Sequence, residues 1–267
     1  MDSPPTRPFA TLLRDWSTSL SQHALWRNLA LEDLRDRYRR TALGLAWIVI
    51  SFAMFVAVKL FVFGPLNAAS AAEFGVFVTL GFGLWTYINA MVMDACTAYI
   101  HSRAWILGTA TPYPVYLLQA ITRNWMIFGM VLAVMALALY WNPLPLGPRA
   151  LWALPGLAMY LVSSVWVSAV LAPLCARWRD LYQTVQVGLR LAFFVTPILW
   201  MPRTFERLEL IAGLNPISHF IAIVREPLMY NRVPVESWML VLAINGAGLA
   251  AGALVYASTR RRLPHWV

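Results

Sequence analysis

LRDRYRRTALGLAW, residues Leu34–Trp47, joins an arginine-crowded segment to an apolar run that continues to Phe63. Upstream, Trp26, Ala30, Leu34 and Tyr38 recur every four positions with Leu31 beside them, while Asn28, Glu32, Arg35, Asp36 and Arg39 fall on the other side. That pattern describes an amphipathic helix lying in a membrane interface. The other reading is a charged flank that only sets topology. Downstream, the residues from Leu43 are apolar enough to enter hydrocarbon. The junction therefore predicts an all-α integral membrane protein with its N-terminal side held at one face.

The rest of the chain agrees. Of 267 residues, 60% are hydrophobic and 12% charged, against about 25% charged in ordinary soluble domains. Mean hydropathy is +0.61. The net charge of +9 does not form a soluble basic patch but sits beside apolar runs, which argues against nucleic-acid binding. Residues 1–24 lack the apolar core of a signal peptide.

A spanning helix needs roughly 20 apolar residues. Six stretches qualify: 43–63, 74–93, 114–141, 151–174, 185–201 and 238–257, the fifth being the shortest and holding Arg190. Basic residues then set the orientation. Seven arginines precede the first span; Arg103, the pair Arg177 and Arg179, and the trio Arg260, Arg261 and Arg262 fall on the same side. The bias is 13 inside against five outside, placing both termini in the cytoplasm. The organisation expected is a cytoplasmic tail (1–23), an interface helix (24–42), a transmembrane domain (43–257) and a basic tail (258–267). Cys96 and Cys175 then lie near the reducing face as free thiols.

Two segments are neither spans nor simple turns. Residues 94–114 form a cytoplasmic connection with Tyr99, His101, Arg103 and Trp105, either an amphipathic helix that serves as a docking handle for a soluble partner or a structured loop without one. Residues 202–236, broken at Gly213 and Asn215-Pro216, read as two short helices re-entering the membrane from outside, or as an external amphipathic loop.

No catalytic constellation stands out. His23, His101, His219 and His265 are scattered without metal-ligand spacing, and no Gly-Lys-Ser/Thr phosphate loop exists. The only lysine, Lys59, lies in a span and is expected to snorkel. Charged residues inside spans mark functional positions or structural ion pairs. Arg123 and Arg190 are such residues, with Asp94 and Asp180 as possible partners. Trp47, Trp85, Trp141, Trp200 and Trp238 sit near span ends, as interface belts do. Phe52, Phe55, Phe193 and Phe194 lie within spans, either packing or offering rings to sugars.

The order of features resembles the ABC-2 type permeases of the polysaccharide-export branch. The resemblance rests on Leu34–Trp47, Arg179-Asp180-Leu181, Thr196-Pro197-Ile198, Asn215-Pro216 and Arg225, and covers the chain from about residue 24. It implies a multi-pass subunit of the bacterial cytoplasmic (inner) membrane, working as a pair of identical copies with two separate nucleotide-binding subunits. ATP and magnesium would bind those subunits, so this chain would carry no cofactor and no enzymatic activity. Its cargo would be a lipid-linked polysaccharide, capsular by preference, with an O-antigen or teichoic-acid-type polymer as the alternative. A periplasmic adaptor would be a further partner. Arg35, Asp36, Arg37, Arg39, His101 and Arg103 would meet the ATPases. Trp47, Phe52, Phe55, Arg123, Arg190, Phe193 and Phe194 would line the path. An ABC-2 permease for a drug or small lipid is the nearest rival. A secondary transporter is disfavoured, because no span interior holds Asp or Glu for ion coupling.

Overall fold

The computed structural model describes residues 8–39, 41–64, 70–142, 146–201 and 206–267. Arg7, Arg40 and Arg203, counted above for the charge bias, lie outside the described residues. The described residues form helices and no strands: α1 (Pro8–Ser21), α2 (His23–Tyr38), α3 (Ala46–Phe63), α4 (Ala71–His101), α5 (Arg103–Gly108), α6 (Pro114–Trp141), α7 (Ala153–Arg177), α8 (Asp180–Val195), α9 (Glu206–Leu214), α10 (Pro216–Tyr230) and α11 (Val235–Thr259).

Four helical stretches, built on α4, α6, α7 and α11, are long and apolar enough to cross a membrane. At 1.5 Å per residue the shortest of these helices is about 38 Å long, against a hydrocarbon core of about 30 Å. The 18 residues of α3 and the 16 of α8 reach only about 27 and 24 Å. The first expected span therefore starts late, since residues 42–45 form a turn ahead of Ala46. The fifth ends early. Thr196 is extended (φ −83°, ψ 135°), because Pro197 disfavours helical geometry in the residue before it and lacks an N–H to continue the ladder.

Local chemistry explains the other boundaries. Ser70 caps α4 by accepting from the Glu73 amide at 3.2 Å. Pro114 occupies the first turn of α6, where its missing donor costs nothing. Asn215 caps α10 by accepting from the Ile217 amide at 3.0 Å, with Pro216 next. Asn231 ends α10 in the left-handed region, φ 47°.

Helix α4 is the axis of the bundle, packed against α3, α6, α7, α8 and α10; α7 also packs on α11. Phe74, Phe77, Leu80, Leu84, Phe128 and Tyr160 fill the space between them. Gly248 of α11 permits the close approach of α7, for a Cβ there would lie 2.3 Å from the Trp166 ring. Cys96 and Cys175 are buried and unbridged.

Two segments differ from expectation. Residues 8–21, read as tail, form α1, which packs on α11 and α6. The second expected span, 74–93, runs on: α4 continues through Asp94 to His101, and only α5, after Ser102, is a separate short helix in the connection. By contrast, residues 206–230 do form two short helices broken at Asn215.

Candidate functional site

Three groups of side chains stand out, at one end of the bundle, along one flank and at the opposite end. The first is a charge cluster joining α2, α4 and α6. Arg123 of α6 donates one nitrogen to Asp33 of α2 and another to Asp94 of α4, the latter at 2.5 Å. Asn124 adds a 2.8 Å bond to the same Asp94 oxygen. The Arg123 side chain is 9% exposed, so its charge is balanced by these two carboxylates rather than by water. Arg123, expected along the path, is thus held inside the bundle. The Arg123–Asp94 pairing is one the sequence suggested; Asp33, on the flank of α2, went unnoticed. Arg37, His101, Tyr116 and Gln119 join them around a cavity of about 360 Å³.

Helix α2 buries Ala30 and Leu34 and turns its polar face outward. Arg35, Asp36, Arg37 and Arg39 are exposed, Asp36 and Arg39 approaching to 3.9 Å. His101 ends α4 and Arg103 opens α5, both exposed. Of the six residues expected to meet a partner, the structure brings Arg37 and His101 to one cavity. Beside α2, α1 is strapped down by Asp15, which accepts from Arg260 and, at 3.0 Å, from the Tyr256 hydroxyl. The Asp15 carboxylate holds the Arg260 guanidinium above its ordinary pKa.

The second group is aromatic. Phe52 stacks on Phe82 at 5.7 Å and 12°. Phe55 and Phe193 also meet Phe82, at 6.0 and 6.4 Å. Phe193 further contacts Trp85 at 5.4 Å and Phe194 at 5.6 Å. Of the four phenylalanines singled out in the sequence, Phe52, Phe55 and Phe193 therefore converge on Phe82, which was not, and Phe194 joins them through Phe193. Its signal was the Phe82/Trp85 spacing, one helical turn on α4. Lys59 belongs to this group: its ammonium lies 3.3 Å from the Phe82 centroid and 4.9 Å from that of Phe193. It rests over rings rather than extending outward, contrary to the snorkelling expected. Trp47 is exposed along α3, beside Ser51, Met54, Phe55 and Val58 in a shallow groove.

Helix α8 carries the far side of this surface. It buries only Leu189 and exposes Asp180, Gln183, Thr184 and Arg190. Asp180 does not pair with Arg190: the ion pairs formed among the described residues include neither.

The third group ties α8 to α10. Arg225, buried, donates to the Pro197 carbonyl at 2.7 Å and lies 3.9 Å from the Phe77 centroid. Asn215 donates to the Thr196 hydroxyl at 2.8 Å, which itself donates to the Ala192 carbonyl at 2.6 Å. Gly81 keeps the space open, since a Cβ there would come within 3.2 Å of the Arg225 guanidinium. Thr196-Pro197-Ile198, Asn215-Pro216 and Arg225, separate in sequence, are one hydrogen-bonded knot.

No family profile matches the chain. Three curated proteins are similar to it. An O-antigen export system permease protein RfbA of Klebsiella pneumoniae is 24% identical over 207 residues, 77% of this chain and 80% of its own. A second Klebsiella pneumoniae protein of that name is 24% identical over 217 residues, 80% and 83% of the two chains. The Myxococcus xanthus RfbA permease is 23% identical over 238 residues, 87% and 91%. The likeness to polysaccharide-export permeases, first carried by the arginine-rich junction, thus extends over most of the chain.

Proposed function

We propose that this chain is the transmembrane subunit of an ATP-driven exporter that moves a lipid-linked surface polysaccharide from cytoplasm to periplasm across the inner membrane. Two copies enclose the path, and two separate nucleotide-binding subunits drive it. The relatives' names favour an O-antigen-type glycan over the capsular polymer first preferred.

The observation that carries this reading is the face of α8. It packs on the spanning helices α4 and α7, yet turns Gln183 and Arg190 outward. Lipid tails cannot solvate such groups. Water within a path closed by a second copy can. The exposed rings of Phe55 and Phe194 continue that face, and aromatic faces suit the apolar sides of sugars. In this reading α3 and α8, with the turns and short helices that extend them, complete six crossings, and α9 with α10 re-enters from outside. The Asp15–Arg260 contact supports cytoplasmic ends on one side. The exposed arginines of α2, with His101 and Arg103, receive the ATPase, and Arg123 carries its movement from α2 into α4 and α6. A periplasmic adaptor would take up the polymer beyond the membrane.

Deleting the gene and locating the polymer tests the proposal. Glycan retained in the cytoplasm, and returned to the surface by the intact gene, is the expected result. Normal surface polymer in the deletion strain would refute it.

A further inference from the structure

We infer that Lys59 and Arg190 form a cationic track for the cargo, which makes that cargo an acidic glycan bearing carboxylate or phosphate groups. The inference rests on the export reading above and narrows its substrate.

Lys59 is the chain's only lysine and stands in an otherwise apolar helix, four residues before the end of α3. That is about 6 Å from the helix terminus, within reach of headgroups for a snorkelling side chain. It does not take that route. Its ammonium turns in over Phe82 and Phe193. Ring faces attract a cation but do not neutralise it. Among the described residues no carboxylate pairs with Lys59 or with Arg190. Nor does either helix offer one at this level: α3 holds no acid, and the only one on α8 is Asp180, at its start.

Lys59 lies over Phe193, and Arg190 stands one helical turn before that ring on α8. Arg190 precedes Phe193 and Phe194 by three and four residues, so all three share one face of α8. From Arg190 through Phe193 to Lys59 the surface alternates charge and ring. A sugar with an acidic substituent presents the matching pair, an apolar ring face and an anion. A lipid phosphate is the other anion at hand, but it needs no rings and would draw the amine outward. A neutral glycan would leave the two charges to the water of the path alone, and would offer the cations nothing in return for that water.

The test uses the deletion strain complemented with Lys59→Met, Lys59→Arg and Arg190→Gln, membrane abundance being measured for each. The expected results are a trapped polymer containing uronic acid or phosphate, and surface polymer reduced about tenfold by Lys59→Met and by Arg190→Gln at equal abundance, ~1.4 kcal/mol for each lost ion pair. Lys59→Arg should retain more export than Lys59→Met. A neutral trapped polymer overturns the inference and leaves the export reading intact, whereas no trapped polymer sinks both. Unchanged export by the two charge-removing variants also overturns it. So does a loss confined to thermal stability of Lys59→Met in phosphatidylglycerol nanodiscs and absent in phosphatidylcholine, which would assign Lys59 to lipid. If Lys59→Met fails to accumulate, the exposed Arg190→Gln decides.

Discussion

Replacing Arg123 by alanine should destabilise the bundle more than any other single change in its charge cluster. The substitution leaves two carboxylates facing each other without a cation. Breaking a buried pair by removing one partner costs about 3–5 kcal/mol. The low end applies, because the Asp94 side chain is 21% exposed and that of Asp33 36%, so both recover some water. A loss of ~3 kcal/mol corresponds to a fall in Tm of about 6–12 °C for a chain near this size. Asp33→Asn removes the most solvated member and should cost ~1 kcal/mol or less. Asp94→Asn should fall between the two. Neutralising all three positions, as Arg123→Met with Asp33→Asn and Asp94→Asn, should restore most of the lost stability, since no charge then lacks a partner. Tryptophan fluorescence during thermal unfolding in lipid nanodiscs reads all five proteins. Either of two results would refute the reasoning: Arg123→Ala melting within about 2 °C of the parent, or the triple variant melting no higher than Arg123→Ala.

Gly248→Ala forces a methyl into the Trp166 ring and should cost about 1–3 kcal/mol, whereas Gly246→Ala, with nothing within 4 Å, should be neutral or slightly stabilising in the same assay. Asp15→Asn should loosen α1 without melting the bundle, seen as about tenfold faster amide exchange confined to residues 11–21; exchange spread through α6 and α11 would count against a local strap. Asn215→Ala loses both the cap of α10 and the bond to Thr196, so a drop of about 1 kcal/mol is expected, with faster exchange at Ile217 as its signature.

Much of the fold was legible because hydrocarbon leaves few choices for backbone polar groups. The third expected span coincides with α6, Pro114–Trp141, since Pro114 marks its start and the apolar run its length. The break at Asn215-Pro216 was equally plain, being a cap followed by a residue fit for the first helical turn. What the sequence concealed depends on distant partners. Helix α1 looks like a polar tail until Asp15 meets Tyr256 and Arg260, 241 and 245 residues away. Asp33 sits on a helix flank, and only the rotation of α2 against α6 turns it toward Arg123. The phenylalanines of α3 and α8 stood out as rings within spans, but the Phe82 between them did not, because α4 is apolar around most of its circumference. Lys59 was misread for the same reason: its short route to the headgroups was visible, and the rings that hold it were not.

The strap between α1 and the end of α11 also bears on how the protein is made. Asp15 emerges early, but its partners come only after every other helix has been synthesised. Until α11 has come to rest, α1 has no completed dock. With the crossings proposed above, one intervening segment that fails to thread puts Arg260 on the far side of the membrane and leaves Asp15 without its partners. Docking of α1 is therefore a late event that depends on the correct threading of everything between. A docked α1 thus reports, through one carboxylate, that the helices made after it have reached their places.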